Sequence, residues 1–413
     1  VVAERAAGRT GVCASRCPTA RKAEADEFHH RFYNVIDVLG ETTDLTAAHP
    51  EVVEELQILL NRYRISGHIR EWGRKGPANH YHPFQTMRLT AFLFLTLTTA
   101  CLAGPPPGAP APATKAEVWL APPAATTGEC FRQLFTHPDR WAETRSRISV
   151  LQYADHRLDK QFTDDELRAW LPMIEKWGLK LGLEVGAVKP WGLTGQKTFD
   201  VQRKKWDRFQ SLGGRIHAIA MDEPLDCCRK QINKPDDYAL QETASFIALV
   251  RRNYPDIRIG DIETYPSIPV ADHLWWIDSL QKKLAAMKVR GLDFYRLDVN
   301  WTNFIIQDHG NWREVRKIEQ ACRLRKLSFS LIYWAADIPT LERKGLAGES
   351  SWYLSIMQQG NSYAMVDGRP DQFVIESWLS SGNPKCLPET DQWSFTRSAL
   401  DFTGRFVKPT QGR

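Results

Sequence analysis

Long blocks of one charge are missing from this chain. Its 54 basic and 49 acidic side chains are interspersed, the formal net charge is only +5, and no run of five or more Lys/Arg occurs. A dedicated nucleic-acid arm is thereby excluded. Cysteine is sparse, with eight in 413 residues, and no Cys-x-x-Cys is matched by a second such motif, as a structural zinc site would require. The apolar stretch that begins at Phe92 is too short for a bilayer-spanning helix, which takes about 20 residues. Hydrophobic residues at 43% and charged residues at 25% exclude wholesale disorder and a fibrous chain. Tryptophan, in contrast, is abundant, at fifteen. An excess of flat rings with one polar edge suits a ligand with apolar faces and polar rims, such as a sugar, although most single tryptophans are packing residues.

Four segments follow from composition. Residues 87–103, from Met87-Arg88 through an apolar run to Ala100-Cys101-Leu102-Ala103, read as a secretory signal peptide. Thr98-Thr99-Ala100-Cys101 resembles a bacterial lipobox, which implies acylation of Cys101 and a membrane tether; simple cleavage after Ala103 competes with it. Residues 104–116, rich in Pro and Ala, form an extended linker. The order of signal, spacer and domain suits an exported bacterial protein, secreted or held as an outer-surface or periplasmic lipoprotein. Ahead of the signal, residues 32–72, with Gly40-Glu41-Thr42-Thr43-Asp44-Leu45, resemble the C-terminal tail of a sulfatase. None of a sulfatase's metal or formylglycine motifs accompanies them, so residues 1–86 are read as a remnant or a misassigned start.

From residue 117 to the C-terminus, β-branched and aromatic runs alternate with amphipathic helical patterns. The runs start at Glu117, Ile148, Leu179, Ile216, Ile257, Leu292, Phe329 and Gln372, a spacing of 31 to 43 residues that fits one strand, one helix and two loops. Thr163-Asp164-Asp165-Glu166 forms a capping box, and Leu167, Trp170, Leu171 and Ile174 then make an apolar stripe. Gly178, Gly213-Gly214 and Gly291 are placed to end helices. Eight βα units predict an α/β fold closed as a (β/α)8 barrel. An open doubly wound sheet is the alternative, but no Gly-rich phosphate loop follows the first strand.

In such a barrel the site lies at the C-terminal strand ends. Acids collect there: Glu184 on strand three, Asp222-Glu223-Pro224 after strand four, Asp261 and Glu263 at strand five, Asp298 after strand six and Glu376 on strand eight. Trp191, Tyr265, Trp301, Trp334 and Trp378 stand beside them. Paired carboxyls with aromatic walls are what glycosidic cleavage needs: one protonated group to donate to the leaving oxygen, one ionised group to attack or to activate water.

At Asp222-Glu223-Pro224 the chain resembles clan A glycoside hydrolases, whose acid/base Glu ends the fourth strand, usually in Asn-Glu-Pro. The resemblance implies Glu223 as proton donor. Asp222 departs from the usual Asn, and strand seven offers no Glu nucleophile. Glu263 is the first choice for the second catalytic group, then Glu376, then Asp298. Asp222, Asp298, Glu376, Glu184, Trp191, Tyr265, Trp301, Trp334 and Trp378 are expected to bind substrate.

No cofactor and no metal site is expected. Metal-dependent sugar-converting barrels place His at strand ends, whereas His217 comes early in its strand and His156 in a loop. Such an enzyme, and a barrel that binds saccharide without cleaving it, are the alternatives. The expected partner is a carbohydrate, and the protein is expected to be a monomer. Cys130, after strand one, and Cys386, after strand eight, adjoin in a closed ring and are a candidate disulfide. N-terminal sequencing of the exported protein is expected to return a start at Cys101 or Gly104; recovery of Val1 would overturn the signal-peptide reading.

Overall fold

The structure, a computed structural model, describes residues 116–124 and 127–407. The segments 1–86, 87–103 and nearly all of 104–116, including Cys101, lie outside them. Eight parallel strands close on themselves in sequence order, β1 through β8, with β1 also paired to β8. They are β1 Glu117–Ala121, β2 Val150–Ala154, β3 Lys180–Val185, β4 Ile216–Asp222, β5 Arg258–Tyr265, β6 Phe294–Val299, β7 Ser328–Tyr333 and β8 Gln372–Glu376. Helices intervene throughout, so the expected (β/α)8 barrel is the fold. The strands begin within two residues of the predicted starts. The largest discrepancy is at β5, which runs three residues beyond its predicted end at Ile262 and so takes Glu263 into the sheet.

The local signals act as the sequence implies. At the helix Asp164–Lys176 the Thr163 hydroxyl accepts from the Glu166 N–H, and the Glu166 carboxylate accepts from the Thr163 N–H. Two otherwise unpaired backbone donors are thereby satisfied. Leu167, Trp170, Leu171 and Ile174 are buried on that helix. Gly178 and Gly213 take the left-handed conformation that ends a helix. After the helix Val270–Ala286 the same conformation falls to Lys288 rather than to Gly291.

Successive strand residues alternate between the barrel interior and the surrounding helices. The interior set is identified by contacts between opposite strands. At the lower end Arg258 of β5 reaches across to both carboxylate oxygens of Glu117 on β1, at 2.8 and 2.9 Å. One layer higher, Arg296 of β6 donates to Gln152 of β2 at 2.5 Å and to Ser330 of β7 at 2.9 Å, with its guanidinium 4.4 Å from the Trp119 ring centre. Bulk at the centre is balanced by glycine: a Cβ on Gly182 would stand 2.6 Å from the Trp119 ring, and one on Gly260 would strike Phe294. The barrel is therefore filled up to this layer, and a cavity opens above it.

Cys130 and Cys386 form a disulfide between the segment after β1 and the segment after β8. Cys227, Cys228 and Cys322 are buried free thiols. No described helix is long and apolar enough to cross a membrane. Because the bridge joins residues 256 apart, it restricts the unfolded chain strongly. Cys386→Ser is expected to lower stability by about 2–5 kcal/mol in denaturant unfolding without reductant; an unchanged midpoint would show that the bridge contributes nothing.

Candidate active site

Side chains that point inward from the last turn of each strand have nothing above them, so the ring of strand ends makes a cup. Its volume is about 250 Å³, near the small end of ligand pockets. The walls come from Ala121 (β1), Ala154 (β2), Glu184 (β3), Asp222 (β4), Ile262 (β5), Asp298 (β6), Ile332 (β7) and Glu376 (β8). Glu223, Ser377 and Trp378 add to the rim from just past their strands, and Tyr153, His156 and Arg157 from the second unit. Five carboxyl groups thus share one small space.

They are held in three different ways. Glu184 and Glu376 hydrogen-bond to each other on the floor. Burial, then the neighbouring Glu376, pushes Glu184 well above the carboxylate range. Glu376 is pushed up to about 7 by burial, against the pull of Arg296 beneath it. Both Glu376 oxygens also accept from the Gln152 amide, at 3.2 and 3.3 Å. Their mutual hydrogen bond raises Glu184 and lowers Glu376, so the proton of the pair is drawn toward Glu184, above the Arg296 guanidinium that attracts both.

Asp222 is neutralised by Lys189, whose ammonium lies 2.5 Å from its carboxylate. Among the described residues, Glu223 and Asp298 have no such partner. Burial, then the charge of Asp222, pushes Glu223 up to about 7, and Lys189 opposes this. Burial, then the charge of Glu223, pushes Asp298 far above its ordinary value. Its Oδ1 is buried without a hydrogen-bond partner among the described residues. The charge of Glu223 thus bears on Asp298, while the first charge to bear on Glu223 is that of Asp222.

Glu223 is also unusual in its backbone. Its φ of 48° lies in the left-handed region, which non-glycine residues enter mainly where the surroundings impose it. This twist ends β4, starts the one-turn helix Pro224–Cys227 and leaves the Glu223 side chain at the mouth.

Several expected residues stand elsewhere. Glu263 does not line the cavity: β5 continues to Tyr265, so the alternation turns Glu263 outward while Ile262 faces in. The Glu263 carboxylate is fully buried and accepts from the Leu225 and Asp226 backbone N–H groups, at 2.7 and 3.2 Å. Burial, then the neighbouring Asp261, pushes it well above the usual range, and the two amides pull it down. Asp261 shares that outer face and accepts from Trp276 at 2.6 Å. Tyr265 is likewise outside the cup, its hydroxyl donating to Glu314 and accepting from the Asn311 N–H.

Trp301 is buried away from the cup. Trp334 supports the wall instead of forming it: its indole N–H donates to the Val299 carbonyl, and its ring packs 4.2 Å from that of Trp378, which does line the cup. Trp191 is 47% exposed on the loop after β3, its ring close over Gly186, where a Cβ would stand 2.7 Å from it. Among the described residues, no group of three or more His, Cys, Asp or Glu side chains has the arrangement to hold a metal ion.

Lys189, Arg157 and Arg296 belong to the site and were not singled out from the sequence. For Arg296 a signal existed: it lies two positions before Asp298, on the same strand face.

No protein-family model and no curated relative matches the chain. Solved structures that are similar include a thermostable mutant of a xylanase from Cellvibrio japonicus, at 12% identity and a TM-score of 0.43 over 71% of this chain and 99% of that one. An Ignisphaera aggregans GH53 catalytic domain has 10% identity and a TM-score of 0.45 over 74% and 98%. The YdjI aldolase of Escherichia coli K12 has 9% identity and a TM-score of 0.39 over 72% and 94%. Likenesses this distant concern the barrel alone, and barrels of this kind host unrelated chemistries.

The charge arrangement makes a prediction that requires no substrate. Asp222→Asn removes the charge that raises Glu223 and releases Lys189 toward it, so both changes lower the Glu223 midpoint. Carboxyl-carbon NMR is expected to record a midpoint near 7 in the native protein and a lower one in the variant; an unmoved midpoint would contradict the assignment of the charges.

Proposed function

We propose that the protein is a glycoside hydrolase that cleaves glycosidic bonds of a poly- or oligosaccharide, with Glu223 as general acid/base and Asp298 as the second carboxyl group. The observation that carries the reading is the state of Glu223, a carboxyl at the cavity mouth raised to about 7 by burial beside Asp222. An acetal oxygen is a poor leaving group until it is protonated, and a donor is most effective when it keeps its proton near the working pH.

The partner must be a carboxylate that faces the same space and is not already neutralised. Glu263, the first choice from sequence, faces the helices. Glu376, the second, is engaged by Glu184 and Gln152. Asp298 satisfies both conditions, with one oxygen unpartnered.

The step needs Glu223 protonated and Asp298 ionised, so bound substrate must favour the ionised Asp298, which burial and the charge of Glu223 disfavour in the free protein. As the Glu223 proton passes to the leaving oxygen, positive charge grows at the anomeric carbon. The Asp298 carboxylate meets it, either by attacking that carbon or by taking the proton of an attacking water. A cationic transition state lowers the cost of ionising Asp298, so the acid cup stabilises it more than it stabilises the neutral sugar. Asp222, Glu184 and Glu376 are then hydroxyl ligands, and Trp378, backed by Trp334, offers an aromatic face to the ring. Trp191 extends the aromatic surface on the loop after β3. The same reading keeps the protein as an exported, surface-tethered monomer with a carbohydrate partner.

Reducing-end release from a panel of polysaccharides and aryl glycosides tests the proposal. Glu223→Gln is expected to lose about 10²–10⁴ of kcat while saccharide binding is retained, and Asp298→Asn a comparable factor. Activity in the native protein is expected to be bell-shaped in pH, falling on the alkaline side as Glu223 deprotonates through about 7. Saccharide binding without turnover, or a flat profile between about pH 4 and 8, would overturn the hydrolase.

A further inference from the structure

We infer that Glu263 is a positioning residue whose carboxylate, on the outer face of β5, fastens the left-handed turn that presents Glu223 to the cavity. The inference rests on the proposed role of Glu223. Its basis is the backbone from Glu223 to Cys227. The Glu223 N–H donates to the Ile262 carbonyl at 3.0 Å, and the Glu223 carbonyl accepts from the Cys227 N–H at 2.9 Å. Pro224 has no N–H. The next two donors, Leu225 and Asp226, both end on the Glu263 carboxylate. Every backbone donor from Glu223 to Asp226 is therefore taken by two consecutive residues of β5, the Ile262 carbonyl and the Glu263 side chain.

A carboxylate at this position needs a reason to be there. Asp261 on its own strand, Glu223, the thiols of Cys227 and Cys228 and the Tyr295 hydroxyl of β6 are the titratable groups around it. None is a cation, and Glu263 has no ion-pair partner among the described residues. An uncompensated buried acid is costly, and the two amides are what offset it. In return it holds two amides that would otherwise be buried without a partner, directly beyond a residue whose φ of 48° does not persist unsupported. Glu263 thus acts on the reaction through Glu223 and never touches the substrate.

Glu263→Gln in the full chain tests this. The amide keeps the shape, but one of its two heads becomes a donor facing a donor. A crystal structure of the variant is expected to show the Pro224–Cys227 turn displaced and Glu223 out of the left-handed region. Kinetics are expected to show kcat lower by about 10–100-fold, since a misplacement near 1 Å costs that much, with KM within about twofold. A folded variant with the turn in place and kcat unchanged would overturn the inference. The structural result is independent of activity: full activity in Glu223→Gln would remove the proton-donor reading, while the turn geometry would still report whether Glu263 holds it. If Glu263→Gln does not fold, Glu263→Asp, which retracts the carboxylate by one methylene, is judged by the same two results.

Discussion

Alternation along a strand governs this site more than any single contact. In a closed parallel barrel each side chain points either into the ring or toward the helices, and neighbouring residues always differ. Glu117, Trp119 and Ala121 share the inward face of β1; Arg258, Gly260 and Ile262 that of β5; Phe294, Arg296 and Asp298 that of β6. The pattern delivers Asp298, Glu376, Glu184 and Asp222 to one small space, and by the same rule sends Asp261 and Glu263 the other way. Chemistry at the mouth and support behind the wall are thereby divided between adjacent residues of the same strand.

Gathering five carboxyls in a cup of about 250 Å³ is electrostatically unfavourable. The fold offsets the repulsion in layers. Arg296 sits beneath the floor, sandwiched against Trp119 and tied to Gln152 and Ser330. Glu184 and Glu376 share a proton above it, and Lys189 closes on Asp222 at the side. What remains uncompensated is Glu223 with Asp298. Burial raises both of these groups first, and the charges around them raise them further.

Much of the architecture was legible in the chain. Eight β-rich runs with amphipathic segments between them predicted the barrel, and the capping box at Thr163 and the glycines at 178 and 213 marked helix ends correctly. The pairing of Cys130 with Cys386 followed from the adjacency of the first and last strands. Glu263 was expected in the cavity because it comes just past the predicted end of strand five at Ile262, among the acids at the strand ends. A loop leaves a side chain free to turn inward; three more residues of strand do not. Tyr265 was misplaced for the same reason. Trp301 and Trp334 stand at strand exits, as expected, but one is packed away from the cup and the other supports Trp378.

Composition, periodicity and spacing were enough to determine the number of units, their closure into a ring, and the end of the ring at which acids collect, because these depend on local propensity and on the two-residue and 3.6-residue periods. Which acids meet, which are neutralised and which keep a proton was decided only in three dimensions. Lys189 reaches Asp222 across 33 positions of sequence, Arg296 reaches Gln152 across the barrel, and Glu223 owes its orientation to a backbone twist held by the neighbouring strand. Charge coupling depends on distances of a few ångströms between strands, and those distances exist only once the ring has closed.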